Sequence, residues 1–557
     1  MADPTAQLIT KRADLAFNIT ERANAEVIWR EIATFMLPNA SSFIITGSRG
    51  QGGTGGITTT TRLFDGTAIR ANRDLASAID STLTNPATQW AQLEFESELL
   101  KMDTGPNGAT QWLDDSTNKM FAALADSNFN TEKASGYEML TAMGSMALFE
   151  EGVDPVETGK FEGFQFGNIS INELAWSENR LGIVDTIYRR MQLTAKKAFE
   201  RFGDQVSDAI KSDIEKNPDN LHDFIHCIFP RHIDDVDTKG IIVSGINRPF
   251  ASVYIERRTK DYVEISGYYE FPVHVVRFNK SPNEQYGRGA GHIALPDTRT
   301  LNVAIELLLE ATEMAIFPPI LTQDESLGGS EDYSARSFVY MEDVNATKSF
   351  QLGSNLPLAQ LSIERLVQQI RESFFLDKIM LPPRDSIGEM SAFETSKRVE
   401  EMQKSFGPIT GRLEKEFLQP LTLNSFKMML RGGAFDPIPQ IVQQVLAGQI
   451  PGETSALKIN FINTLSRSQR FEQMGNVRQW IATAQEISVA TGSPNPMDRI
   501  NTDQVMKLTE EVLGVPPKLV RTEKELQEIR DARAQEQQQQ QDIDNLNKGA
   551  DTASKLQ

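Results

Sequence analysis

The sequence predicts an α+β protein, mainly α-helical, and three observations carry that reading. Apolar residues recur at helical spacing through residues 1–40, 65–83, 112–148, 296–430 and 466–530. Residues 161–171 and 241–278 instead alternate β-branched and aromatic side chains, as in SVYIE and YVEISGYYEFPVHVVRF. With 39% apolar and 24% charged residues over 557 positions, the chain can bury a core and lies outside the disordered regime. The length suits three or four compact units or one large interlocked subunit.

The first 40 residues read as helix, with Leu8, Leu15, Ile19, Val27 and Ile28 on an apolar stripe ending near Leu37-Pro38. GSRGQGGTGG, Gly47 to Gly56, is too glycine-rich to hold one conformation and reads as an exposed or partner-ordered segment. Helix resumes over 65–83 and 112–148, and WAQLEFE between them alternates like a half-buried strand. The end, AQEQQQQQDIDNLNKGADTASKLQ, is low-complexity.

Fifty-six Lys and Arg against 76 Asp and Glu leave a formal charge of −20. Proteins that grip phosphate backbones carry the opposite sign, so static DNA binding is disfavoured. A single cysteine, Cys227, permits no intrachain disulfide and no CxxC zinc pattern. No apolar stretch approaches the roughly 18 residues of a transmembrane helix, and the start lacks the apolar run of a secretory signal, so no membrane role is expected.

A search for catalytic chemistry returns little. The Walker A pattern is absent, as are GxSxG and HExxH. GRGAG, Gly287 to Gly291, follows a strand, but Pro296 is expected to delay the helix, so it reads as a structural glycine loop. His222, His226 and His232 cluster beside Cys227 in HDFIHCIFPRH. Alternation puts the first two on one strand face and Cys227 on the other, which spoils convergence on a metal. Asp234, Asp235 and Asp237 read as a solvated turn. No cofactor or metal is expected.

The helical middle is more informative. Pro296 to Phe317 reads as a rod of ~30 Å with Asp297 as N-cap and Leu301, Ile305, Leu308, Thr312 and Ala315 at helical spacing. A second rod, SIERLVQQIRESFFLDKIM, has Ser362 as cap and Ile363, Leu366, Ile370 and Phe374 on one face. The acidic, strand-like stretch between them reads as a small protrusion. After the second rod, LPPRDSIGE, Leu381 to Glu389, cannot be helical. A long third helix then opens with the capping box Ser391 to Glu394 and carries Val399, Met402, Phe406, Ile409, Leu413 and Phe417 on one stripe. Gly407-Pro408 and Pro420 are expected to kink it.

This order of rods, cap, loop and long helix resembles that of phage portal proteins. The motifs are similar to those of the head-to-tail connecting proteins of short-tailed, podovirus-type bacteriophages. The residues that carry the resemblance are LTNPATQW (Leu83 to Trp90), NEQYGRGAGHIALPDTRTLN (Asn283 to Asn302), MSAFETSKR (Met390 to Arg398), GPITGRLEKE, and GVPPKLVR (Gly514 to Arg521). The resemblance runs over roughly residues 15–535, and the Gly-rich loop and Gln-rich tail lie outside its motifs.

The resemblance implies a portal fold, assembled as a ring of typically twelve subunits: wing 1–295, first stem helix 296–317, clip 318–357, second stem helix 358–378, tunnel loop 379–391, long backbone helix 392–432, helical crown 433–534 and a Gln-rich tail 535–557. It implies a virion protein at the portal vertex, assembled in the host cytoplasm, through whose ring double-stranded DNA is packaged by the terminase and later ejected. Major capsid and scaffolding proteins, the terminase large subunit and tail adaptor proteins are the implied partners. Pro382, Pro383, Arg384 and Asp385 of the tunnel loop would line the channel. Asp324, Glu325, Glu331, Asp332, Glu342 and Asp343 of the clip would meet motor and tail. Between Asp297 and Pro357 ten acidic and three basic residues leave a net −7, which suits a wall along which DNA slides, though a merely solvated face would look the same. The competing reading is a ring-forming tail or shell adaptor that threads no DNA.

Overall fold

The computed structural model describes residues 4–38, 63–103, 108–153, 160–231, 245–282, 284–317, 320–322, 338–340, 356–379, 407–446, 456–462, 464–491 and scattered positions between 500 and 509. The chain forms two compact units, Met1–Pro86 with Ala122–Ala434, and Ala87–Phe121 with Phe435–Gln557.

The first unit opens with two helices where the sequence suggests one. α1 (Pro4–Phe17) and α2 (Thr20–Met36) break at Asn18-Ile19. The expected stripe is on the outside: Leu8, Leu15, Ile19, Val27 and Ile28 are all exposed. The packed face of α1 is instead Ala6, Thr10, Ala13, Ala16 and Phe17. Small side chains let this helix lie close on a sheet, so the face with the larger aliphatics is not the one that packs. α3 (Thr67–Leu83) follows its periodicity, burying Ala68, Ala71, Leu75, Ile79 and Leu83 at steps of three and four.

α4 (Phe129–Met143) is terminated by Gly144 in the left-handed region, φ +82, and Ser145 enters a strand at once. The helix expected to reach Leu148 therefore stops earlier, because SMALF is short and uniformly apolar and its period is ambiguous. Strand β1 (Ser145–Val153) is central to a three-stranded antiparallel sheet, between β2 (Gly163–Ile169) and β8 (Val273–Arg277), with Phe149 opposite Val273. A five-stranded antiparallel meander runs β3 (Leu174–Glu178), β4 (Val184–Thr194), β5 (Leu221–Pro230), β6 (Phe250–Glu256) and β7 (Asp261–Tyr268). One face packs Ala175, Tyr188, Ile225, Cys227 and Val253 against α1. The other packs Phe224, Tyr254 and Val263 against α5 (Ala195–Phe202) and α6 (Asp208–Lys216).

α7 (Ala290–Ile316) packs on α2, α3, α4 and α8 (Leu356–Ser373), and α9 (Leu376–Ile379) follows. Both rods start earlier than expected. Neither Asp297 nor Ser362 is a cap; each lies inside its helix, as does Pro296. Pro357 sits in the first turn of α8, where its missing N–H costs nothing. Leu301 is buried and Ile305 and Leu308 half-buried, but Thr312 is exposed, so the expected packing stripe fades along α7. On α8, Ile363 and Leu366 are half-buried and Ile370 and Phe374 buried. Two short strands, β9 (Ile320–Thr322) and β10 (Phe338–Tyr340), pair in parallel.

Helix resumes at Gly407 and widens into a π-turn at Glu414–Leu418 before α10 (Gln419–Arg431). Pro420 explains the turn: in a regular helix its ring would meet the carbonyl of Glu416, and the wider turn relieves that contact. The kink expected at Pro420 takes this form. Leu413 and Phe417 are buried as expected and Ile409 half-buried. The capping box from Ser391 and the residues Val399, Met402 and Phe406 lie outside the described residues.

In the second unit, residues Ala91–Phe95 form the expected strand and pair antiparallel with Leu457–Phe461, Leu93 opposite Ile459. Within residues 433–534, expected to be helical, the helix Gln440–Leu446 fits that expectation and the partner strand departs from it. The helix Thr464–Thr491 covers the start of the segment expected to be helical from 466.

Candidate functional site

The glycine loop does precede a helix directly, contrary to the expectation that Pro296 delays it. Gly289 caps α7: its carbonyl accepts from His292 N at 3.1 Å and its N–H donates to His292 Nδ1 at 3.2 Å. Yet the loop has no room for a phosphate. A Cβ on Gly289 would stand 2.4 Å from the Thr141 carbonyl oxygen, and one on Gly144 would stand 2.4 Å from the Arg288 carbonyl carbon. Two backbone segments interlock there, so the glycines exist for close packing. Tyr286 lies between Trp29 and Trp176, with ring centroids at 5.3 and 4.4 Å, and Glu21 accepts from the backbone N of Gln285 and Tyr286. The YGRG motif is thus a fastening for α2, β3 and α7.

Burial and the neighbouring Arg288 push the His292 imidazole down to about 4. An unfolded histidine titrates near 6.5, so as pH falls through that value the unfolded chain takes up the proton first and the native state loses stability down to about 4. His292→Asn keeps an acceptor for Gly289 N–H and removes this titration. Chemical denaturation at pH 5 against pH 7.5 is expected to show an acid loss smaller by on the order of 2 kcal/mol in the variant. An equal loss in both proteins would refute the assignment.

The sheet face expected to be polar is instead the apolar one packed against α5 and α6, and His222 and His226 are buried on it beside Phe224. His226 stacks on Tyr254 at 3.9 Å and its Nε2 lies 2.9 Å from Ser252 Oγ; burial, then Arg189 and Arg201, hold its pKa well below the ordinary value. His222 Nε2 lies 3.1 Å from Asp213. Cys227 points to the opposite face, where burial raises its thiol pKa. Among the described residues no group of three or more His, Cys, Asp or Glu could hold a metal ion. His232, Asp234, Asp235 and Asp237 lie outside them.

Two buried polar networks join the three-stranded sheet to the long helix. Glu150 lies 2.7 Å from His274 Nε2 and accepts from Ser425 Oγ at 2.5 Å, with all three side chains buried. This is no nucleophilic site, since the hydroxyl bonds the carboxylate rather than the imidazole and solvent is shut out. Arg277, 2% exposed, donates from Nη2 to Glu416 Oε1 at 2.9 Å and from Nε to Oε2 at 3.1 Å. It also binds Glu178 and donates to the Gly182 carbonyl oxygen at 3.2 Å, while Lys280 reaches Glu178 Oε2 at 2.7 Å. Glu416 lies in the π-turn, so Arg277 clamps the widened turn to β8 and to the β3–β4 hairpin. Sequence reasoning missed these residues, which are polar positions far apart in the chain with no shared motif.

The surface of α7 is the most unusual feature. Val303, Leu307 and Met314 form one exposed row with Glu310; Leu309 and Ile316 form the next with Glu306 and Glu313. No Lys or Arg occurs from Thr300 to Phe317. A soluble helix normally turns one apolar stripe inward and a polar face outward. The tunnel-loop residues Pro382, Pro383, Arg384 and Asp385, and the clip residues Asp324, Glu325, Glu331, Asp332, Glu342 and Asp343, lie outside the described residues.

Exposed apolar rows of this kind are a common mark of interaction surfaces. The family described as "Bacteriophage head to tail connecting protein" matches residues 10–520, and the chain belongs to it. It is a phage portal connector, a structural virion component of the head–tail junction and not an enzyme. Relatives span nearly its full length. The probable portal protein of Bordetella phage BPP-1 is 26% identical, covering 96% of this chain and 93% of that one. The portal protein of Salmonella phage epsilon15 is 24% identical, covering 97% and 93%. The adaptor alternative is not favoured. A solved neck of a native GTA particle, computed with C12 symmetry, aligns over 80% of this chain and 94% of its own at 10% identity and a TM-score of 0.28, too weak a likeness to argue from. Among the described residues no helix is long and apolar enough to cross a membrane.

Proposed function

We propose that the chain closes into a ring, typically of twelve copies, at one capsid vertex, and that genomic DNA passes through its bore inward during packaging and outward at ejection. The observation that carries the reading is α7, whose outer rows are apolar and acidic and stay uncovered in a single chain. Closing the chain into a ring covers them. The acidic balance of the protein supports passage rather than attachment, because phosphates are not held where Lys and Arg are scarce.

In this reading residues 1–295 are the wing, 296–317 and 358–378 the stem, 318–357 the clip, 392–432 the backbone helix and 433–534 the crown. The clip, through Asp324, Glu325, Glu331, Asp332, Glu342 and Asp343, steers the terminase large subunit and tail adaptors. The loop 379–391, with Pro382, Pro383, Arg384 and Asp385, borders the narrowest part of the bore. Assembly with capsid and scaffolding proteins takes place in the host cytoplasm. Electron microscopy of the purified full-length chain tests the proposal: class averages are expected to give one rotational order and a bore wider than duplex DNA, ~20 Å. Monomers and dimers alone at every concentration would end it.

A further inference from the structure

Helix α1 turns one face to the sheet and the other to solvent. Ala6, Thr10, Ala13, Ala16 and Phe17 are packed, which leaves Leu8, Lys11, Arg12 and Leu15 exposed on the far side, Leu15 by 69%. Counted from Leu8, the other three follow at steps of three, four and seven, so they form one row. The acidic residue beside it on the helix, Asp14, is taken up by Arg190 at 2.8 Å and Arg257 at 3.3 Å. Arg12 and Asp185 both act on the Tyr188 hydroxyl, so Asp185 offsets part of the Arg12 charge and Lys11 supplies most of what remains. The row is apolar at both ends and basic in the middle.

α7 carries the opposite pattern. Leu307, Glu310 and Met314 are exposed at the same spacing, apolar at both ends and acidic in the middle, with no Lys or Arg from Thr300 to Phe317. Leu8, Lys11 and Leu15 match them if the two helices run parallel, and Leu15, Arg12 and Leu8 if they run antiparallel. In either direction a cation meets Glu310 between two aliphatic pairs, along ~10 Å of helix. Both rows are exposed in the same chain, so they do not cover each other within a subunit, and the partner is a second copy. A patch on one copy that fits a different patch on the next is a heterologous contact, and such contacts close into rings when the rotation permits. We infer that the Leu8–Leu15 face of α1 in one subunit packs on the Leu307–Met314 row of α7 in its neighbour. The inference rests on the ring reading and names one of its contacts. Apolar burial supplies the affinity, and the charges fix the partner. A phosphate backbone would take the cations but leave Leu8 and Leu15 in water.

Charge reversal tests it. Lys11 and Arg12 are exposed, so Lys11→Glu/Arg12→Glu is expected to keep the wild-type circular dichroism and raise the half-assembly concentration at least ~10-fold. Glu310→Lys is expected to do the same, and a chain with all three changes to regain rings, because every junction again joins opposite charges. Leu8→Ser/Leu15→Ser, which leaves the charges untouched, should weaken assembly as well. Undisturbed rings in any of the three weakened variants, or no recovery in the combined one, overturn the docking. Intact Lys11→Glu/Arg12→Glu rings that no longer retard duplex DNA in a gel shift overturn it in favour of phosphate. A wild-type chain that forms no ring removes the ring reading itself, whereas intact rings in these variants remove only this contact.

Discussion

A chain carrying Leu307→Glu and Met314→Glu is expected to fold normally and to remain monomeric. In the single chain these side chains are 58% and 44% exposed, so little packing is lost inside the subunit, and surface changes of this kind usually stay within about 0.5 kcal/mol. In a ring their burial would contribute roughly 1.5–3 kcal/mol each. Every interface contains the same pair, so the loss repeats around the ring. The new carboxylates also flank Glu310 on the same row, and burying three like charges together would cost more than the lost contacts alone. Light scattering and circular dichroism on one preparation decide the outcome. Rings that persist in the variant would mean that α7 faces solvent or a different partner.

The second large effect is expected inside the subunit. Arg277→Met should destabilise the native state by about 3–5 kcal/mol, because it removes the central cation of a buried ionic cluster and leaves Glu416 with only Arg412, 4.0 Å away, as a counter-charge. Lys280 still neutralises much of Glu178, so the penalty concentrates on Glu416 in the π-turn. Arg277→Met/Glu416→Met, which removes charge from both ends, should recover a substantial part of the loss. Urea unfolding followed by circular dichroism reads both. A single variant as stable as wild type, or a double variant worse than the single, would show that the clamp does not hold the turn.

Most of the secondary structure was legible because it depends on neighbours a few residues away. The Ala68–Leu83 spacing, the alternation in HDFIHCIFP and the Pro420 anomaly are local patterns, and each led to the observed element. The motif NEQYGRGAG was legible as a family mark, but its role was not. Only the fold reveals that Gly289 lies against Thr141 and that Tyr286 wedges between Trp29 and Trp176. The N-terminal stripe misled because amphipathicity says that a face is apolar without saying whether the same chain or another covers it.

By itself, the sequence determined the α+β class, the two rods, the absence of a recognised catalytic motif and the family. The tertiary structure alone decided which surfaces meet. Arg277 and Glu416 are 139 residues apart, and Glu94 and Asn460, on the paired strands of the second unit, are 366 apart. No local preference encodes such pairs. A buried guanidinium takes the carboxylate that folding brings within reach, and a strand edge takes whichever edge leaves its N–H groups bonded. Those choices are made by the packing of the whole unit, which is why the clamp at the π-turn became visible only in three dimensions.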